Sequence, residues 1–142
     1  MFSHLMQKPF TVAALACAFT IGSSAHAQSK PEDVLNQYFA AVQSHSVDNI
    51  LAVFTPDAIL STADKEIQGH DKIREFYLGG VLKCKNFTPV AGPYLLSGND
   101  KIAVEIILRC DGMDRLVGDF FTMKDGKISV MRVYSGKGYK PN

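Results

Sequence analysis

Residues 102–134, IAVEIILRCDGMDRLVGDFFTMKDGKISVMRVY, decide the architecture. Ile102, Val104, Ile106 and Leu108 alternate with Ala103, Glu105, Ile107 and Arg109, the period of two that marks a strand with one apolar face. Asp111-Gly112 is a turn signal, and two more strands follow at 116–123 and 127–134, joined by Lys124-Asp125-Gly126. Upstream, a strand over 87–96 reaches Ile102 through Ser97-Gly98-Asn99-Asp100. Four consecutive strands form a meander.

Before Val81 the period is helical. Ser29-Lys30-Pro31-Glu32 has the form of a capping box, and Val34, Leu35, Tyr38, Phe39 and Val42 make one apolar stripe through about Ser44. Ser46 or Asp48 can cap a short second helix carrying Val47, Ile50, Leu51 and Phe54, which Pro56 ends. Residues 58–62 are strand-like, and Thr62-Ala63-Asp64-Lys65-Glu66 reads as a solvated turn. Gly69 precedes a third helix with Ile73, Phe76 and Tyr77 on one side, closed by Gly79-Gly80. Helices first and strands afterwards predict an α+β fold, with helices packed on one face of a curved antiparallel sheet.

Residues 1–27 stand outside this domain. Lys8 supplies a positive flank, residues 10–22 are mostly apolar and uncharged, and Ala25-His26-Ala27 offers small residues at alternating positions, the pattern of a cleaved signal peptide. Thirteen such residues would cover about 20 Å as a helix, short of a hydrocarbon layer of roughly 30 Å. The rival is a lipoprotein anchored through Cys17. Ala14-Leu15-Ala16-Cys17 fits a lipobox poorly, because its Leu lies one place too close to the Cys. The expected product is residues 28–142, periplasmic or secreted, with no membrane attachment after cleavage.

Of the 142 residues, 46% are hydrophobic and 20% charged, with fifteen Lys plus Arg against fourteen Asp plus Glu. Removing Lys8 with the signal leaves the mature chain neutral, so charge gives no reason to expect a nucleic acid or an anionic membrane as partner. Cys84 and Cys110 remain, and an oxidising compartment permits them to pair. Simple hairpin register sets Cys110 opposite residue 87, an odd offset from Cys84 that puts the thiols on opposite faces. A bulge at Gly92-Pro93 would repair this, and both outcomes stay open. Neither Cys has a second ligand at zinc spacing, and no cofactor motif is present.

Tyr38-Phe39, Phe54-x-x-Asp57-Ala58, Gly69-x-x-x-Ile73-x-x-Phe76-Tyr77, Gly126-Lys127-Ile128 and Met131-x-Val133-Tyr134 occur in an order and spacing that resemble the nuclear transport factor 2-like superfamily. The likeness is to its SnoaL-like and ketosteroid isomerase-like branches and spans residues 31–135. It implies a cone, a curved sheet wrapped around the long N-terminal helix in a cystatin-like α+β barrel, with an apolar pocket between them. It also implies a homodimer through the convex sheet face, where Arg132 is expected near Glu105 and Arg109.

Asp119 falls in phase with Phe121 and Met123, so if those face inward its carboxyl does too. A buried carboxyl must be hydrogen-bonded, paired or protonated. In ketosteroid isomerases a neutral Asp and a Tyr donate to an enolate oxygen, and the resemblance sets Asp119 and Tyr38 at those positions. The family's proton-shuttling Asp falls on Thr62, whose hydroxyl is a poor base, which puts steroid isomerisation in doubt. Asp64, two residues on, could reach the mouth as a base only through a shifted loop. His45 and His70 read as surface or cap residues.

The expected site is therefore Tyr38 and Asp119 as the chemical pair. Val42, Phe54, Thr62, Phe76, Tyr77, Val104, Phe121, Met131 and Val133 would line the pocket, with no metal or cofactor. Two functions fit: an exported protein binding a small, mostly apolar or carbonyl-bearing molecule, or an isomerase, lyase or cyclase working on a carbonyl compound with Asp119 and Tyr38.

Overall fold

Pro31 sets where the first helix can begin. A computed structural model describes residues 29–140 apart from Ser97, so the segment read as a signal peptide lies outside the described residues. Helix α1 spans Pro31–Gln43, with Lys30 as its N-cap in extended conformation and no side-chain cap. The predicted capping box would need Lys30 to be helical, but the residue before a proline is pushed out of the α region, so the helix starts one place later. Glu32 and Asp33 complement the helix dipole there. Helix α2, Val47–Ala52, is capped by Ser46, whose Oγ accepts from the Asn49 amide at 3.3 Å.

Phe54 belongs to a strand rather than to α2. Strand β1, Phe54–Ser61, contains Pro56, which lies where the pairing register shifts between Phe54 and Ile59. A residue without an amide donor is tolerated at such an irregularity. Residues 62–65 make the expected turn, and strand β2, Glu66–Gln68, folds back antiparallel on β1. Helix α3, His70–Gly79, follows Gly69, whose φ of 85° favours glycine. A 3₁₀ turn, Val81–Lys83, leads to β3 (Asn86–Leu95), β4 (Lys101–Cys110), β5 (Met113–Lys124) and β6 (Lys127–Ser135).

These six strands form one open curved sheet in the order β2-β1-β6-β5-β4-β3, antiparallel except where β1 runs parallel to β6. The concave face buries Ile102, Val104 and Ile106 of β4, Val117, Phe121 and Met123 of β5, and Ile128 and Met131 of β6. Against it pack Val34, Leu35, Tyr38, Ala41 and Val42 of α1, with Ile73 and Tyr77 of α3. Arg132 sits beside Phe120, which in turn lies beside Ala103. It thus stands two strands from Glu105 on a rung two residues away, and it is well away from Arg109, contrary to the expectation that both lie near it. Arg109 instead grips the buried Asp114 through two hydrogen bonds, of 2.5 and 2.7 Å, and holds that carboxyl below its ordinary pKa.

Cys84 and Cys110 are joined in a disulfide, with Cα atoms 4.3 Å apart. Two register shifts in β3, between Pro89 and Ala91 and between Ala91 and Tyr94, carry the pairing from Leu95–Ile102 to Asn86–Arg109. Cys84 lies just before the strand, after the 3₁₀ turn, where strict alternation of faces no longer applies. The bond closes a separation of 26 residues, which in a chain-entropy account contributes about 3.5 kcal/mol. The Cys84→Ser/Cys110→Ser variant is expected to lose about that much in a denaturant melt, with the wild type losing the same on reduction. A loss below about 1 kcal/mol would count against that account.

Candidate functional site

Curvature of the sheet leaves a cavity of about 630 Å³ between α1, α3 and the far halves of β4, β5 and β6. That volume lies within the usual range for small-molecule sites. Its walls are mainly apolar: Phe87, Ile106, Leu108, Val117, Met131 and Val133, with Phe76 on the helical side. The rim is formed by the Thr62–Lys65 turn, the run from Gly79 to Cys84, Asp111, Arg115 and the end of β6.

Three polar side chains on this lining are fully buried. Tyr38 projects from α1 and Tyr77 from α3, and their hydroxyls meet at 2.8 Å, one donating to the other. The Tyr77 hydroxyl also lies 3.6 Å from the Met131 sulfur, a weak acceptor. Burial drives both phenols well above their ordinary pKa, so both are protonated at any working pH.

Asp119 is the third. On β5 it lies between Val104 of β4 and Val133 of β6, with apolar neighbours on both flanks. It is 1% exposed, and its Oδ1 has no hydrogen-bond partner. Burial alone raises its pKa to about 8, since no cation stands near enough to offset desolvation. At neutral pH most of the population is therefore the neutral acid, able to donate. The acid nonetheless sits close enough to its working range to give up the proton.

Of the residues predicted to line the pocket, Thr62, Phe76, Tyr77, Met131 and Val133 do so together with Tyr38 and Asp119. Phe54, Val104 and Phe121 lie in the packed core instead. The Phe54 and Phe121 rings stand edge-on to Tyr38 at 6.2 and 5.2 Å and fix its direction. Val42 lines a smaller hollow of about 210 Å³ behind the cavity, with His45 and Phe87. The Thr62 hydroxyl is occupied in its own turn, contacting the Lys65 carbonyl and the Asp64 amide at 3.4 Å each. Asp64 is exposed at the rim. His45 and His70 point to the backbone carbonyls of Cys84 and Phe54.

Several wall residues were missed as site residues. Val117 and Arg115 share the phase of Asp119 and were readable from alternation. Phe87 and the run from Gly79 to Cys84 carry no such periodic signal.

The SnoaL-like domain family matches residues 35–131. Among solved structures, an NTF-2 like protein of unknown function from Burkholderia xenovorans superposes with a TM-score of 0.66 at 14% identity, over 78% of this chain and 86% of that one. A candidate polyketide cyclase from Sinorhizobium meliloti gives 0.61 at 25% identity, over 71% and 93%. A candidate ketosteroid isomerase from Kribbella flavida gives 0.62 at 16%, over 78% and 80%. No curated protein matches the chain. The matched span runs from the first buried leucine of α1 to the methionine under the tyrosine pair, more than half of the chain, so this chain belongs to the SnoaL-like domain family and has the nuclear transport factor 2-like fold.

Proposed function

We propose that the chain is an exported protein that takes up a small, mostly apolar molecule and holds a carbonyl or similar acceptor of that molecule against Asp119 and Tyr38. One observation carries the reading: a buried carboxyl oxygen without a partner, on the wall of an apolar cavity and beside a shielded pair of phenols. An unsatisfied buried polar atom is costly, and a ligand acceptor would use the Asp119 proton where nothing in the protein does.

The Asp119 pKa of about 8 favours a second reading, acid or base catalysis on a carbonyl compound. The candidate cyclase and isomerase among the structural relatives support it as precedent for such chemistry on this fold. With the Thr62 hydroxyl held in its turn, Asp119 would have to move the proton itself, assisted by Tyr38 as a donor.

Native mass spectrometry of the protein purified from periplasm, together with turnover assays on a panel of enones and polyketide-like carbonyls, separates the two. A retained small molecule and no turnover supports the binder. Turnover that disappears in Asp119→Asn while the fold persists supports the enzyme. A cavity that stays empty, with no turnover of any panel member, removes both. A second copy on the convex face is part of the proposal, because Leu116, Phe120 and Tyr134 are exposed there, and sedimentation velocity reads the stoichiometry.

A further inference from the structure

The mouth of the cavity carries charges that the interior chemistry does not use. Arg115 lies on the same face of β5 as Asp119, four residues nearer the open end, which is about 13 Å along a strand. Lys83, in the 3₁₀ turn, lines the same mouth, and Lys65 stands over the Phe76 ring at 5.5 Å from its centroid. Asp64 and Asp111 share the rim, leaving an excess of positive charge.

None of these five charges is held in an ion pair. The ion pairs among the described residues are Lys72–Glu75, Arg74–Asp48 and Arg109–Asp114. The last of these matters, because Asp114 adjoins Arg115 in sequence but is committed to Arg109. Arg115 and Lys83 therefore line a low-dielectric opening without an ion-pair partner, the setting in which charge of one sign attracts its opposite.

We infer that the molecule taken up is amphipathic, with an anionic group caught between Arg115 and Lys83 at the rim, an apolar body along the cavity walls, and a neutral hydrogen-bond acceptor at Asp119 and Tyr38. This rests on the pocket reading given above and adds the charge and the reach of the ligand. A purely apolar molecule would leave the rim cations unused. A dianion would bring a second charge to a wall of valines beside Asp119, at a large desolvation cost.

Monomethyl sebacate and dimethyl sebacate test the inference by calorimetric titration, since they differ only in whether one end is a carboxylate or an ester. The monoester is expected to bind about tenfold tighter at low salt, and the preference is expected to shrink to roughly twofold near 0.5 M salt. Lys83→Gln/Arg115→Gln is expected to erase the preference. Lys127→Gln, which removes one positive charge away from the cavity, should keep it. Equal affinity for the two esters, or a full preference surviving in the double variant, overturns the rim assignment while leaving the pocket in place. If neither compound binds, the pocket reading falls and this inference falls with it.

Discussion

Asp119→Asn is expected to reverse the order of stability between wild type and variant as pH rises. In the unfolded chain the carboxyl ionises near pH 4, whereas in the folded chain it keeps its proton to about pH 8. Between those values the folded state binds the extra proton, so stability falls with rising pH at up to about 1.4 kcal/mol per unit. The stabilisation is complete below about pH 4 and gone above about pH 8, a span on the order of 5 kcal/mol. The amide cannot ionise, so the variant loses this slope. At pH 5 it should equal the wild type or fall about 1 kcal/mol below it, because an extra N–H is buried. At pH 8 it should be the more stable protein by several kcal/mol. Urea melts at pH 5, 6, 7 and 8 measure this, and parallel profiles for the two proteins would mean that the carboxyl reaches water.

The second large effect is on binding. Val133 is half-buried on the cavity wall beside Asp119. A phenylalanine there fills empty volume rather than displacing packed atoms. Val133→Phe should weaken dimethyl sebacate binding by about a hundredfold, near 3 kcal/mol, while unfolding free energy changes by less than about 1 kcal/mol. The same substitution in a solid core would cost about 1 to 3 kcal/mol through overpacking. A variant that is destabilised and still binds would therefore show that no usable void exists. The two measurements are independent, because one reads the carboxyl and the other the space around it.

How far the sequence carries this picture differs from element to element. Alternation over residues 102–134 was enough to place Ile102, Val104 and Ile106 inside and to put Asp119 on the same face as Phe121. The parallel pairing of β1 with β6 was not readable, because it joins segments far apart in the chain and neither carries a local signal for it. Strand β2 is too short to show a period. The Cys84–Cys110 bond required two register shifts, while the sequence suggested one at Gly92-Pro93. Tyr38 and Tyr77 were each marked as site residues. That their hydroxyls meet depends on where α3 docks against α1, a tertiary outcome that helical periodicity does not encode.

The tyrosine pair has a bearing on how cheaply a guest is received. In the described geometry Tyr38 can donate to Tyr77 while Tyr77 places its hydrogen on the Met131 thioether. When an acceptor arrives, both O–H bonds can swing round, so that Tyr77 donates to Tyr38 and Tyr38 donates outward. Only two light bonds rotate, and every heavy atom stays where the edge-on rings of Phe54 and Phe121 hold it. Reorganisation on loading is thereby confined to exchanging a poor sulfur contact for a good oxygen one.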